Sequence, residues 1–140
     1  MPATNSRAAQ RPCLSLQVLA DTFAVCRLPA NAALPEWVSF ETPFVTVSRS
    51  ADELSITLVQ DAVPADVPCE RDFLAIRVRG TLSPDLVGIL LSIAEPLAIA
   101  GLSIFAISTY DTDYVLVRTR DLAAALDALR AAGHDIEQQG

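Results

Sequence analysis

The polar run Ser108-Thr109-Tyr110-Asp111-Thr112-Asp113 holds the densest chemistry in the sequence. It offers two carboxylates, three aliphatic hydroxyls and a phenol between the apolar segments Leu102–Ile107 and Tyr114–Val117. A hairpin turn is ordinarily built with Gly, Asn or Pro, which reach positive φ or preset a bend. This run contains none of them. Carboxylates in such a place attract an ammonium or guanidinium group through charge-assisted hydrogen bonds. Asp111 and Asp113 are also the pair that metal or acid–base chemistry would use. D-x-D alone is a weak signal, however, and no further acids cluster nearby. We expect no metal site and no cofactor.

A second polar stretch complements the first. Ser83-Pro84-Asp85 places a hydroxyl N-cap, a proline at the first helical position and an acid in the first turn, which predicts a helix start. Unpaired backbone N–H groups there would attract a carboxylate. If Thr81–Asp85 and Ser108–Asp113 lie at one end of a sheet, they present opposite charges at adjacent points. A zwitterionic amino acid needs that arrangement. The other reading is that Asp113 makes a local turn hydrogen bond and Asp85 a contact with the helix dipole. Residue types alone leave both open.

Catalysis finds little to work with. His134 is the single histidine and follows Gly133, the place of a helix C-terminal cap or dipole partner. All ten basic residues are arginine, which removes Schiff-base, P-loop and lysine-base chemistry. No nucleophile elbow is present, so no catalytic residue is assigned and the chain is not expected to be an enzyme. Cys13, Cys26 and Cys69 are widely spaced without CxxC, and read as free thiols of a reducing cytosol. The expected location is therefore cytoplasmic.

The composition is that of a folded chain: 140 residues, 51% apolar and 19% charged. A net charge of −7 with no basic run excludes nucleic acid as a partner and favours cationic ligands. Residues 1–12 lack the apolar core of a signal peptide and read as a disordered tail. Leu86–Ile107 approaches the length of a membrane span, but Glu95 and Pro96 interrupt it, and no membrane partner is expected.

The elements that must position the polar runs can be read from periodicity. Phe73–Arg79 alternates as a strand. A helix follows from Ser83 to Gly101, with Leu86, Leu90, Ile93 and Leu97 on one stripe and Pro96 as a kink or an end to its regular part. Leu102–Ser108 and Asp113–Arg118 are apolar on both faces, which predicts central strands. Thr119 caps a helix that Gly133 ends, and His134–Gln138 is a weak edge strand. Strand, helix, strand, strand, helix, strand describes a four-stranded antiparallel sheet of ferredoxin-like topology, with two helices on one face. The first half has strand patterns at Leu14–Ala20, Thr22–Leu28, Phe44–Ser48 and Leu54–Val59, with only short proline-marked pieces between them. A boundary falls near Val67–Arg71.

The segments "FAVCRL" (23–28), "LPEWV" (34–38), "DELSITLV" (52–59), "VGILLSIAEPLAIAGLSIFAISTYDTDYVLV" (87–117) and "DLAAALDALRAAGH" (121–134) also carry a resemblance. The sequence resembles small bacterial ACT-domain proteins related to the animal cytosolic arginine sensor of the mTORC1 pathway, and is similar in architecture to aspartate kinase regulatory domains. The resemblance implies an α+β fold of two tandem ferredoxin-like (ACT, βαββαβ) domains. The first, 13–68, would be degenerate with short helices, and the second would be 69–140. It further implies a non-catalytic regulatory module that binds an amino acid-type ligand at an ACT–ACT interface. Carried onto matching positions, the ligand residues would be Leu82, Ser83, Ile89, Thr109, Tyr110 and Asp113. Arginine and lysine are the first candidate ligands, and a homodimer would complete the interface. The alternative is a protein-interaction and assembly module without a small-molecule ligand.

Overall fold

The computed structural model describes residues 12–80 and 85–138. Its elements are β1 (Ser15–Leu28), β2 (Thr46–Arg49), β3 (Leu54–Val59), β4 (Cys69–Val78), α1 (Ile89–Ile99), β5 (Ile104–Ser108), β6 (Asp113–Arg118), α2 (Leu122–Ala131) and β7 (Asp135–Gln138). The chain divides into two compact units: Asp21–Leu74, and a second made of Met1–Ala20 with Ala75–Gly140.

In the second unit the strand order is β7-β1-β4-β6-β5. Both helices pack on the sheet through one apolar cluster. Ile89, Ile93 and Leu97 of α1 and Ala125, Leu126 and Leu129 of α2 meet Ile76, Val78, Val115 and Val117 of the sheet. Burial of side chains of this size stabilises by roughly 1.5–3 kcal/mol each. This α+β arrangement of an antiparallel sheet under two helices agrees with the ferredoxin-like expectation, but four details differ.

The last strand does not lie beside the first strand of the pattern. β7 pairs in parallel with the beginning of β1, from Ser15↔Asp135 to Val18↔Gln138. That inserts a fifth strand into the expected four. The cause is the length of β1, one 14-residue strand where two were expected. Asp21 and Thr22 interrupt its apolar pattern without ending it, and Leu16 and Val18 are buried in the cluster beneath the helices.

The helix expected to run on from Ser83 is not continuous, because residues 85–88 are not helical. Ser83 and Pro84, two of the three residues of the expected start, lie outside the described residues, and α1 starts at Ile89. Gly88 precedes it with φ +81, a left-handed conformation that other residues adopt at a cost. Leu86, expected on the apolar stripe, stands outside the helix and is 53% exposed. Pro96 does not end the helix, which continues to Ile99.

β5 is an edge strand rather than a central one. Phe105 is 41% exposed and Ala106 is also exposed, whereas Val115, Leu116 and Val117 of β6 are fully buried. Two-sided apolar character thus marks the central strand correctly in β6 and misleads in β5. The second helix, finally, has no threonine cap: Thr119–Asp121 form a 3-10 turn ahead of it.

The unit Asp21–Leu74 holds the end of β1, β2, β3 and the start of β4, in the order β2-β3-β1-β4. β3 runs antiparallel to both neighbours, with Cys26↔Ile56 and Val47↔Ile56 in register. Ala24, Cys26, Leu54, Ile56, Leu58 and Val63 form its core. Phe23 meets Phe44 edge-on at 6.1 Å and 76°, a favoured aromatic geometry.

Candidate ligand-binding site

The polar run is the loop of the β5–β6 hairpin, whose last ladder pair is Ser108↔Asp113. The Thr109 N–H donates to the Thr112 C=O at 2.8 Å and closes the loop. The Thr109 hydroxyl donates to the same carbonyl at 3.1 Å, and the Thr112 N–H donates to that hydroxyl at 3.3 Å. Hydroxyls supply here what glycine supplies elsewhere, by bonding the backbone of a tight turn.

Two further bonds aim the hairpin. Thr112 is 8% exposed, and its hydroxyl donates to the Val78 C=O at 2.7 Å. Val78 is the last residue of β4, so the bond fastens the loop beside the point where the chain leaves β4 towards α1. The Ser108 hydroxyl donates to the Asp113 carboxylate at 2.5 Å. Asp113 is half-buried, and its remaining acceptor capacity is available to a donor. Tyr110 is 99% exposed and Asp111 is also exposed.

The candidate residues therefore fall into three groups. Thr109, Tyr110 and Asp113 share the hairpin. Ile89 opens α1 and is 8% exposed, its side chain within the apolar cluster. Leu82 and Ser83 lie outside the described residues. No side chain among the described residues caps the start of α1, where the Ser92 N–H makes the first helical bond, to Gly88. The sequence reading missed Thr112 as the tether and Ser108 as the partner of Asp113. The surplus of hydroxyls in the run was the available signal.

His134 has a different role from the cap or dipole partner expected of it. It is 5% exposed, accepts the Leu14 N–H at Nδ1 (3.0 Å) and lies 2.8 Å from the Ser92 C=O through Nε2. Because Nδ1 accepts, the ring is the neutral tautomer with its proton on Nε2, donated to Ser92. Ser92 stands four residues before Pro96, which has no N–H to give it. The histidine thus satisfies the carbonyl that the helical proline leaves open. A cavity of about 430 Å³ lies beside it, lined by Leu91, Glu95, Ile99, Ala128, Ala131 and His134 among others. It shares no lining residue with the hairpin. Among the described residues no group of three His, Cys, Asp or Glu side chains is arranged for a metal ion, and no helix is long and apolar enough to cross a membrane.

Comparison with known proteins places these features in a family. The ACT-domain model matches residues 69–131, and a model of an N-terminal domain matches residues 21–66. The chain matches no curated protein sequence. A crystal structure of an Agobacterium tumefaciens protein is 36% identical, with a TM-score of 0.86, over 92% of this chain and 96% of that one. A Vibrio cholerae protein, described as of unknown function and a possible transport protein, is 24% identical with a TM-score of 0.68, covering 85% and 89%. The regulatory subunit of aspartate kinase from Thermus flavus shares the fold at 12% identity and a TM-score of 0.59, covering 86% and 99%. The chain belongs to the family of the Agobacterium protein and carries an ACT domain over residues 69–131.

Proposed function

We propose that the chain is a non-catalytic cytoplasmic regulatory module of two tandem ACT-like units. In this reading the hairpin Ser108–Asp113 and the segment entering α1 receive an amino acid-type ligand, at an interface that a second copy completes. The observation that supports the reading is the Thr112–Val78 bond, which tethers the residue beside Asp113 to the end of β4 from which the chain leaves for α1. The ligand's ammonium or guanidinium group meets Asp113, and its carboxylate meets the backbone N–H groups of the segment entering α1. Arginine and lysine come first because the turn that carries Asp111 and Asp113 is acidic.

A thermal-shift screen of the twenty amino acids tests this reading. Ligand at about a hundred times Kd stabilises by roughly 2.7 kcal/mol, a rise of several degrees in Tm. Asp113→Asn still accepts the Ser108 hydroxyl but has no charge, so binding should weaken about ten- to a hundredfold. No shift with any amino acid would overturn the proposal. The rival reading, an assembly module without a small ligand, is favoured by the exposed apolar side chains Leu91 (45%), Ile99 (79%) and Phe105 (41%). Light scattering at micromolar concentration, with and without amino acid, separates the two: a dimer indifferent to every amino acid supports the rival.

A further inference from the structure

Cys26 and Cys69 lie 43 positions apart in the sequence and both belong to the unit Asp21–Leu74. The Arg27 N–H donates to the Pro68 C=O at 3.1 Å. Cys26 precedes Arg27 and Cys69 follows Pro68, and Cys69 packs against the apolar cluster that holds Cys26. β1 and β4 are neighbours in the sheet, and a second bond between them, from the Arg79 N–H to the Ser15 C=O at 2.8 Å, fixes them as antiparallel. Cys26 and Cys69 are then directly opposed at the non-hydrogen-bonded position next to the Arg27–Pro68 pair. Such positions hold Cα atoms about 4.5 Å apart with side chains on one face. That spacing lies within the range a disulfide spans, roughly 4.4–6.8 Å, and at its short end.

The two thiols differ in environment. Cys26 is 1% exposed within the core, whereas Cys69 is half-exposed. Burial first, and then the neighbouring Cys69, push the Cys26 thiol up to about 12, with Arg71 opposing. Cys26 is therefore a protonated thiol at neutral pH, and Cys69 is the sulfur a reagent reaches.

We propose that Cys26 and Cys69 form a modification site for low-molecular-weight disulfides, which convert the pair into an intramolecular bridge across β1 and β4. The Cys69 thiolate attacks one sulfur of the reagent, RSSR, breaks its S–S bond and expels one thiolate. Cys26 attacks the Cys69 sulfur of the mixed disulfide and gives its proton to the thiolate that departs, which leaves as RSH. Two protein thiols are oxidised and one RSSR is reduced to two RSH. The same exchange run backwards by a dithiol restores both thiols, so the modification is reversible.

The test is incubation of the full chain with glutathione disulfide, followed by alkylation, intact mass and peptide mapping. The expected product is about 2 Da lighter than the reduced chain at this pair, with the Cys26 and Cys69 peptides joined and both thiols restored by dithiothreitol. Cys26→Ala should instead retain glutathione on Cys69. The proposal fails if the wild type keeps glutathione on Cys69, if both thiols remain alkylatable, or if Cys69 is found joined to Cys13 or to a second chain. The wild-type map decides the matter even if the variant folds poorly.

Discussion

The two antiparallel hairpins of the molecule are built on one plan and differ in what the plan supports. Between β2 and β3 the ladder ends at Arg49↔Leu54, and the Ser50 N–H donates to the Glu53 C=O at 2.9 Å. Between β5 and β6 it ends at Ser108↔Asp113, and the Thr109 N–H donates to the Thr112 C=O at 2.8 Å. In each, the first loop residue offers a hydroxyl to backbone N–H groups: Ser50 to Asp52 and Glu53, Thr109 to Thr112. Neither loop contains glycine. The absence of glycine around Thr109 is therefore ordinary for this chain, and Asp111 stands where Asp52 stands in a turn with no proposed ligand.

Three of the aligned positions separate the two loops in what they contact. Leu54, 1% exposed in the core, is matched by Asp113, half-buried and polar. Glu53 is matched by Thr112, which alone reaches back to another strand. Ala51 is matched by Tyr110, which lies open to solvent. Turn-building explains the hydroxyls. It also gives Asp113 a partner in Ser108, so the ligand proposal depends on the carboxylate's remaining acceptor capacity and on the open Tyr110.

Urea denaturation of matched variants can break this comparison. The largest effect belongs to the first position. Leu54→Ala should cost about 2–5 kcal/mol as a core deletion, while Asp113→Asn should cost less than about 1 kcal/mol because its partner Ser108 keeps an acceptor. Equal losses would mean that Asp113 is structural. Thr112→Val keeps the shape and removes the bond to Val78, at about 1–2 kcal/mol. Glu53→Ala, at the same turn position, should stay within about 0.5 kcal/mol, as surface changes do.

Smaller differences sharpen it further. Ser50→Ala and Thr109→Ala remove the same kind of turn bond, so each should cost about 0.5–1.5 kcal/mol and the two should agree closely. Disagreement would show that the shared plan is superficial. Tyr110→Ala should leave stability within about 0.5 kcal/mol and reduce the amino-acid-induced thermal shift. A variant that melts lower yet shifts as the wild type does would remove Tyr110 from the site.

Much of the second unit was legible because its signals are local. Helical spacing placed Leu126 and Leu129 in the core, and a continuous apolar run identified β6 as buried on both faces. Gly133 was readable as a helix end, and it is there with φ +97, where an added Cβ would stand 3.1 Å from the Cys13 sulfur. The hairpin itself was visible as polar residues between two strands.

Other features depended on residues far apart in the chain. β5 has much the same two-sided apolar pattern as β6, and only the strand order makes it an edge. β1 was split at Asp21 because periodicity sees an interruption, whereas strand pairing to β3 at one end and β7 at the other carries the backbone through it. The start of α1 looked set by Ser83-Pro84-Asp85, yet the helix begins only after Gly88 turns the chain. His134 looked like a dipole partner until Pro96 and Ser92 came within its reach, 42 positions from Ser92 in the sequence. The amino-acid sequence determined the types of element, the helix ends and the polar hairpin, because each follows from neighbours within a few residues. Tertiary structure alone decided strand neighbours, edge or centre, and which buried groups face one another. Those outcomes depend on pairing energies between distant segments, to which local periodicity is blind.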